Sequence, residues 1–489
     1  MAYYLQTHCP EKRFTLFEGR EAIGGTWDLF RYPGVRSDSD MHTLGYSFYP
    51  WHDEKVIADA PSILQYIRET AAAFGIDQQI RFNHRVRRAT WSSADAQWTI
   101  EAVRGPDQES VYMTCNFLCM CTGYYDYDQG YTPTWPGIEQ FTGRILHPQH
   151  WPEDLDYTGK RIVVIGSGAT AVTLIPALAK QAAHVTMLQR SPTYIVARPS
   201  GVNKTGGILP TKLVYGFARW RSILFGIYFY NLTRRRPEAA KRGILQLVRQ
   251  QLGDEYDIDK HFTPSYNPWD QRLCLAPDGD FFTAIKSDNV SIVTDQIETF
   301  TQNGIKVRSG EELAADIIVT ATGLTVKFMS GVQLVVDDVA VDLAQTLIYQ
   351  GMMYRDIPNL ASVFGYINAS WTLKCELIAQ RVSRLLNYMD RHAYTQCTPR
   401  LQDDVVSEEP MLGLTSGYMQ RARDTMPRQG SKHPWKLHQN YLRDLLSLRF
   451  GAVNDSTLEF TRRADHARQK ASIGKGTQEE TTHVAKTSV

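Results

Sequence analysis

The sequence predicts an α/β fold with two dinucleotide-binding, Rossmann-like units, and three observations carry that prediction. Residues 159–190 read as strand, glycine-rich turn, helix and strand in direct succession. Near the N-terminus, Arg13-Phe-Thr-Leu-Phe17-Glu18 reads as another strand of nucleotide-binding type, ending in an acid. The 489 residues, 43% of them hydrophobic, suffice for two or three domains around a large core.

In the first of these stretches, Ile162-Val-Val-Ile165 is a short, uncharged, β-branched run of the kind that forms a buried parallel strand. Gly166-Ser167-Gly168-Ala169-Thr170-Ala171 follows at once and opens an apolar helix, Val172 onward to residue 183. Side chains at Gly166 and Gly168 would keep a pyrophosphate from the helix N-terminus, and a small residue at 171 lets helix and strand pack tightly. A tight turn without a ligand is the alternative, and the strands on both sides argue against it. The second strand, 184–188, ends in Gln189-Arg190. An acid there would bind a ribose 2′-hydroxyl; an arginine suits a 2′-phosphate, so Arg190 favours NADP.

Residues 2–7 read as the middle of a helix, and Glu18 stands where a ribose 2′-hydroxyl is bound. The glycine-rich loop that partners such an acid lies about twenty residues earlier, a count that runs off this chain. The expectation is therefore a longer protein, with the first strand and its GxGxxG ahead of Met1. Residues 23–38 form a loop rich in turn formers, where Gly24-Gly25 allow close backbone approach. A helix is expected over 61–75, opened by Pro61, then strands at 80–86, 97–102 and 112–120. Phe141, Gly143, His147 and Trp151 are regularly spaced large or turn residues; read alone, His147 and Trp151 are packing residues at a hinge.

A basic, aromatic helical insertion occupies about 205–255. Its 212–236 stretch, with an apolar core of only about a dozen residues, is too short to span a membrane; a membrane-surface contact and a helical lid both fit it. A loop holding Arg272 follows, then strands near Val293 and at 316–323. A long helix ends near Arg391, and a polar tail from 463 is expected to be disordered. Trp371 reads as core, or as the edge of a substrate cavity. The net charge of +1 gives no sign of nucleic-acid binding. The seven cysteines lack metal-ligand spacing; Cys115, Cys119 and Cys121 read as small buried hydrophobes in a reducing cytoplasm.

Gly24-Gly-Thr-Trp27 with Arg31-Tyr-Pro-Gly34-Val-Arg36-Ser37-Asp38, together with Phe141-x-Gly143-x3-His147-x3-Trp151-Pro152, resembles the Baeyer–Villiger monooxygenases and their flavin-monooxygenase relatives. The wording TWDLFRYPG and SDSDM is similar to the ethionamide-activating group. The resemblance implies FAD and NADP(H) as cofactors, and an FAD domain (1–140, resumed at 326–462) interrupted by an NADP domain (141–325). It puts Glu18, Thr26, Trp27, Asp28, Leu29, Asp38 and Val86 at FAD, and Arg36, Ser37 and Asp38 at the nicotinamide nucleotide. Gly166 to Val172, with Gln189 and Arg190, would hold NADP. His147 and Trp151 would keep a linker role.

Arg272 falls on the family's active-site arginine. It would stabilise the anion that transfers oxygen, with Asp38 holding it in place. The implied reaction is NADPH- and O2-dependent oxygen insertion into ketones, or oxidation of sulfides or thioamides. Two alternatives stand beside it: a non-catalytic NADP-binding protein unable to hold FAD, and an N- or S-oxygenating flavin monooxygenase.

Overall fold

The protein is described by a computed structural model covering residues 1–201, 211–402 and 407–462. The expected disordered tail lies outside these residues. Five parallel strands form the central sheet in the order Val290–Thr294, His184–Gln189, Arg161–Ile165, Ile317–Thr320, Arg144–Leu146. Alternate side chains serve its two faces. Ile162 and Val164 meet Leu174, Ile175 and Leu178 of the helix Ala169–Leu178. Val163 and Ile165 face Phe300, Ile305 and Val307 of an antiparallel three-stranded sheet. One face is thus covered by helix and the other by a meander.

That helix starts earlier and ends earlier than the sequence predicts. It begins beside Gly168, and it stops at Leu178 because the next residues serve another turn: Gly159 N–H donates to Gln181 O at 2.9 Å and Ala183 N–H to Lys160 O at 2.9 Å.

In the other nucleotide unit Leu16–Phe17 runs parallel to Ile80–Arg81 and Leu118–Met120 to Leu360–Ser362, as separate pairs, and Gln333–Val336 runs parallel to part of His84–Ser92. Two expected strands are broken. The first, 80–86, turns at Asn83, whose φ is 58°, before His84–Ser92 resumes. The second, 112–120, divides after Cys115, where Asn359 Nδ2 donates to Asn116 O at 2.7 Å. The cysteines on this run are less buried than expected: Cys115 and Cys119 are half-buried and Cys121 is exposed. Among the described residues, Leu118–Met120 pairs along one edge only, which leaves its flank open. Beneath it a five-stranded sheet, 84–115 with 333–340, packs on Trp91 and Trp98, whose ring centroids lie 5.5 Å apart.

The helical insertion consists of two helices, Thr211–Arg235 and Pro237–Leu252, broken where Pro237 opens the second. The helix Trp371–Arg391 fastens several parts together. Its Lys374 Nζ meets Asp444 Oδ2 at 2.7 Å with both side chains buried, and Tyr366 OH donates to the same oxygen at 2.7 Å. Removing one partner of a buried pair leaves an uncompensated charge. Asp444→Ala is expected to lower unfolding free energy by about 3–5 kcal/mol, measured by denaturant titration; a loss below about 1 kcal/mol would mean that solvent reaches Lys374.

Candidate active site

A cavity of about 1790 Å³ lies where the two nucleotide units meet. One wall comes from the extended segment after Gly34. Its residues alternate, and residues 36, 38 and 40 all face the central-sheet domain. Arg36 Nη2 donates to Asp280 Oδ1 at 3.1 Å, Asp38 Oδ2 lies 3.9 Å from Arg272 Nη1, and Asp40 Oδ2 accepts from Arg198 Nη2 at 3.2 Å. Period-two alternation in a strand-like segment puts all three side chains on one face. Ser37 points the other way, its Oγ donating to Ser39 O.

Arg272 reaches the cavity from a loop and is 34% exposed, to the cavity itself. Burial opposes its charge, but Tyr124, Tyr418, Asp38 and Tyr125 outweigh it and push the guanidinium's pKa upward. Its Nε is buried without an acceptor. Trp269 Nε1, Ser416 Oγ and Asn368 Oδ1, on residues lining the same cavity, are likewise buried without partners. Four such groups beside one cavity are a cost that the fold carries at this place. At 3.9 Å, Asp38 attracts Arg272 without a hydrogen bond, leaving the N–H fork available.

The glycine-rich turn shows two different requirements. Gly166 has φ 137°, and a Cβ there would meet Ala321 O at 2.3 Å, so the protein itself demands glycine. A Cβ on Gly168 would meet nothing within 4 Å. Gly168 is the N-cap and offers no side-chain cap, so the first N–H groups of Ala169–Leu178 are left for a ligand in the cavity. Arg190 is exposed at the cavity edge beside Ser167, whose Oγ donates to Ser191 O at 3.0 Å. No carboxylate pairs with Arg190 among the described residues.

Of the expected site residues, Thr26, Trp27, Arg36, Ser37, Asp38, Gly166, Ser167, Gly168, Ala169, Thr170, Arg190 and Arg272 line the cavity. The others lie behind it. Asp28 is buried and ion-paired with Arg20, Arg31 and Arg68, which fixes the loop that presents Trp27. Leu29 packs on the core under the sheet. Glu18 accepts from Arg20 N–H at 2.9 Å, and burial raises its pKa. Val86 packs on the Trp91 core. Ala171 and Val172 are buried in helix-to-sheet packing, and Gln189 Nε2 donates to His261 O and Thr294 Oγ1, both at 2.8 Å.

His147 acts as a clamp. Nδ1 accepts from Gln149 N–H at 3.2 Å and Nε2 donates to Gly323 O at 3.1 Å, while burial lowers its pKa and keeps it neutral. Trp151 is buried in the core.

Sequence reasoning missed the aromatic surround of Arg272. Tyr124 OH donates to Tyr125 OH at 3.0 Å, and the Tyr124 ring stacks on Trp371 at 5.0 Å and 18°. Gly365 admits that indole, since a Cβ would lie 2.1 Å from it. Two tyrosines directly after the strand-ending Gly123 were a local signal; Tyr418 and Asp280, remote in sequence, gave none.

The two glycines should therefore separate stability from binding. Gly166→Ala is expected to cost about 1–3 kcal/mol of stability. Gly168→Ala should cost about 1 kcal/mol or less yet weaken NADP(H) binding at least about tenfold, near 1.4 kcal/mol. Thermal unfolding and nucleotide titration of both variants check this; equal binding by Gly168→Ala and the parent would remove the turn from the nucleotide site.

Residues 15–369 match the FMO-like family, flavin-binding monooxygenase-like. The FAD-containing monooxygenase EthA of Mycobacterium tuberculosis is 50% identical over 466 residues, 94% of this chain and 95% of that protein. Among solved structures, oxidized steroid monooxygenase bound to NADP is similar in fold, with a TM-score of 0.73 at 21% identity over 94% of this chain and 97% of that one. Cyclohexanone monooxygenase from Rhodococcus sp. Phi1 bound to NADP+ gives 0.71 at 19% identity over the same shares, 94% and 97%. With nearly three quarters of its length inside the family match and 50% identity to EthA over 466 residues, the chain belongs to the flavin-binding monooxygenase-like family.

Proposed function

We propose that the protein is an FAD-containing monooxygenase that uses NADPH and O2 to insert oxygen beside a ketone carbonyl, and that it also oxidises sulfide or thioamide sulfur. The observation that carries this reading is Arg272: a permanent charge deep in a cavity, with Asp38 3.9 Å away and a buried Nε that has no acceptor. Overall, ketone, O2, NADPH and a proton give ester, NADP+ and water.

The residues present fit both cofactors. Gly168, the uncapped helix start and Arg190 suit the phosphates of NADP. Thr26 and Trp27, at a loop where Gly24 and Gly25 have φ 126° and 55°, suit a flat ring against the cavity wall. Bound FAD supplies the reaction with O2. The protein's part is to position and to neutralise: Arg272 offers N–H donors to developing negative charge on the substrate oxygen, and Asp38 orients it. Tyr124 and Tyr125, the latter with its pKa pushed up to about 12 by burial, stay protonated and present hydroxyls beside it. Trp371 and the apolar face of the helical insertion exclude water.

The proposed reading also includes a peripheral membrane contact through 212–236, a stretch that is both basic and aromatic; no helix among the described residues is long and apolar enough to cross a membrane.

Arg272→Ala is expected to retain NADPH oxidation while ester yield falls at least about a hundredfold, near 2.7 kcal/mol; measured as product per NADPH consumed, unchanged yield would remove Arg272 from the reaction. Arg190→Ala should raise KM for NADPH about tenfold or more, near 1.4 kcal/mol, and leave that for NADH nearly unchanged. An equal rise for both would mean that the 2′-phosphate is not read there.

A further inference from the structure

We propose that the helices Thr211–Arg235 and Pro237–Leu252 form a lipid-seated mouth, through which apolar ketones dissolved in an anionic bilayer enter the cavity. The proposal rests on the monooxygenase reading for the identity of the substrate, and on the surface alone for the docking.

Leu213, Phe217, Trp220, Leu224 and Tyr228 are all exposed, Phe217 by 73%, and their spacing of four, three, four and four puts them on one helical face. The opposite face is fastened. Tyr215 and Ile223 are buried, and Arg219 donates to His42 O at 2.8 Å and Gly45 O at 2.7 Å and pairs with buried Glu376 at 3.3 Å. The helix cannot roll to hide its outer side without breaking that pair. Leu446 and Phe450 add exposed apolar surface on a neighbouring turn, joined to the helix where Trp220 meets Tyr441 at 6.0 Å.

The occupant is decided by charge. Residues 211–236 contain six Lys and Arg and no Asp or Glu. Arg221, Arg235 and Arg236 are exposed along or beside the apolar face. A second copy docked on the same face would set these cations against their own kind, whereas anionic headgroups pair with them while the acyl region takes Phe217 and Leu224.

The link to the cavity comes from Phe225, Leu232 and Leu247. All three are exposed and all three line the cavity, so its rim lies on this apolar side. Inward, Ile223, Phe229 and Ile244 continue the apolar wall.

The test uses the full chain with phosphatidylcholine vesicles, with and without phosphatidylglycerol. The parent should float with the anionic vesicles. Phe217→Glu combined with Leu224→Glu, neither of which lines the cavity, and separately Arg221→Gln with Arg235→Gln, should each reduce the floated fraction at least about tenfold. Failure of the parent to float, or a new dimer in place of flotation, overturns the docking. On a long-chain methyl ketone supplied in vesicles, Phe217→Glu/Leu224→Glu should lose at least about tenfold in kcat/KM and keep its rate on a short water-soluble ketone. Equal rates on both ketones, or equal losses, overturn the delivery route. A parent that floats but converts neither ketone overturns the ketone reading, and the delivery route with it.

Discussion

The site depends on a charge that the protein cannot discharge and does not fully compensate. Arg272 is held in a deep cavity where burial works against it. Its nearest carboxylate, on Asp38, stands at attractive distance but beyond hydrogen-bond range. A shorter, bidentate pair would spend the guanidinium's directional donors on Asp38. The observed spacing keeps the charge in place and its N–H groups free, which is the condition for stabilising charge that appears only during a reaction.

This arrangement is only as good as the fit between the two nucleotide units, and residues 36–40 carry that fit. An extended segment presents a side chain to the same side every second residue, and here positions 36, 38 and 40 reach Asp280, Arg272 and Arg198. The charges run cation, anion, anion against anion, cation, cation. A shift by one residue would turn Ser37 and Ser39 toward the partner domain and lose all three contacts. The register of a five-residue segment thus sets the position of Arg272's partner, and the flanking pairs lock it.

What was legible in the sequence divides along the same physical line. Local patterns gave the parallel strands at 161–165 and 184–189 and the helix between, because a β-branched run and a glycine turn announce themselves within a few residues. They did not separate the two glycines, one demanded by Ala321 O and the other facing open space, since that contact crosses about 150 residues of chain. Asn83 and Asn359 broke strands that composition drew as continuous; turn chemistry and a long-range side-chain bond overrode propensity. Arg272 and Asp38 were named by resemblance, not by pattern, and their aromatic surround was largely invisible because Tyr418 and Trp371 arrive from distant chain. Expected site residues that proved to lie behind the cavity, such as Asp28 and Gln189, brace the loop and strand that carry those in front.

The helix Trp371–Arg391 shows why bracing of this kind matters. In less than two turns it places Trp371 against Tyr124 beside Arg272, Lys374 against Asp444, and Glu376 against Arg219 of the helical insertion. Buried ion pairs add little net stability compared with apolar packing. Each of these, though, holds directional partners at one depth, so they fix position where hydrophobic contacts would tolerate sliding. Trp371 in the cavity wall, the helical insertion and the segment 441–444, whose Tyr441 also lines the cavity, are therefore referred to one rigid element. A change in how the insertion helix sits must pass through Glu376 before it reaches Trp371, five residues and less than 10 Å along the same helix by its rise of about 1.5 Å per residue. Cavity mouth and reactive end are mechanically one object, and the outer apolar face of the insertion is held open by the same charge pair that sets the inner wall.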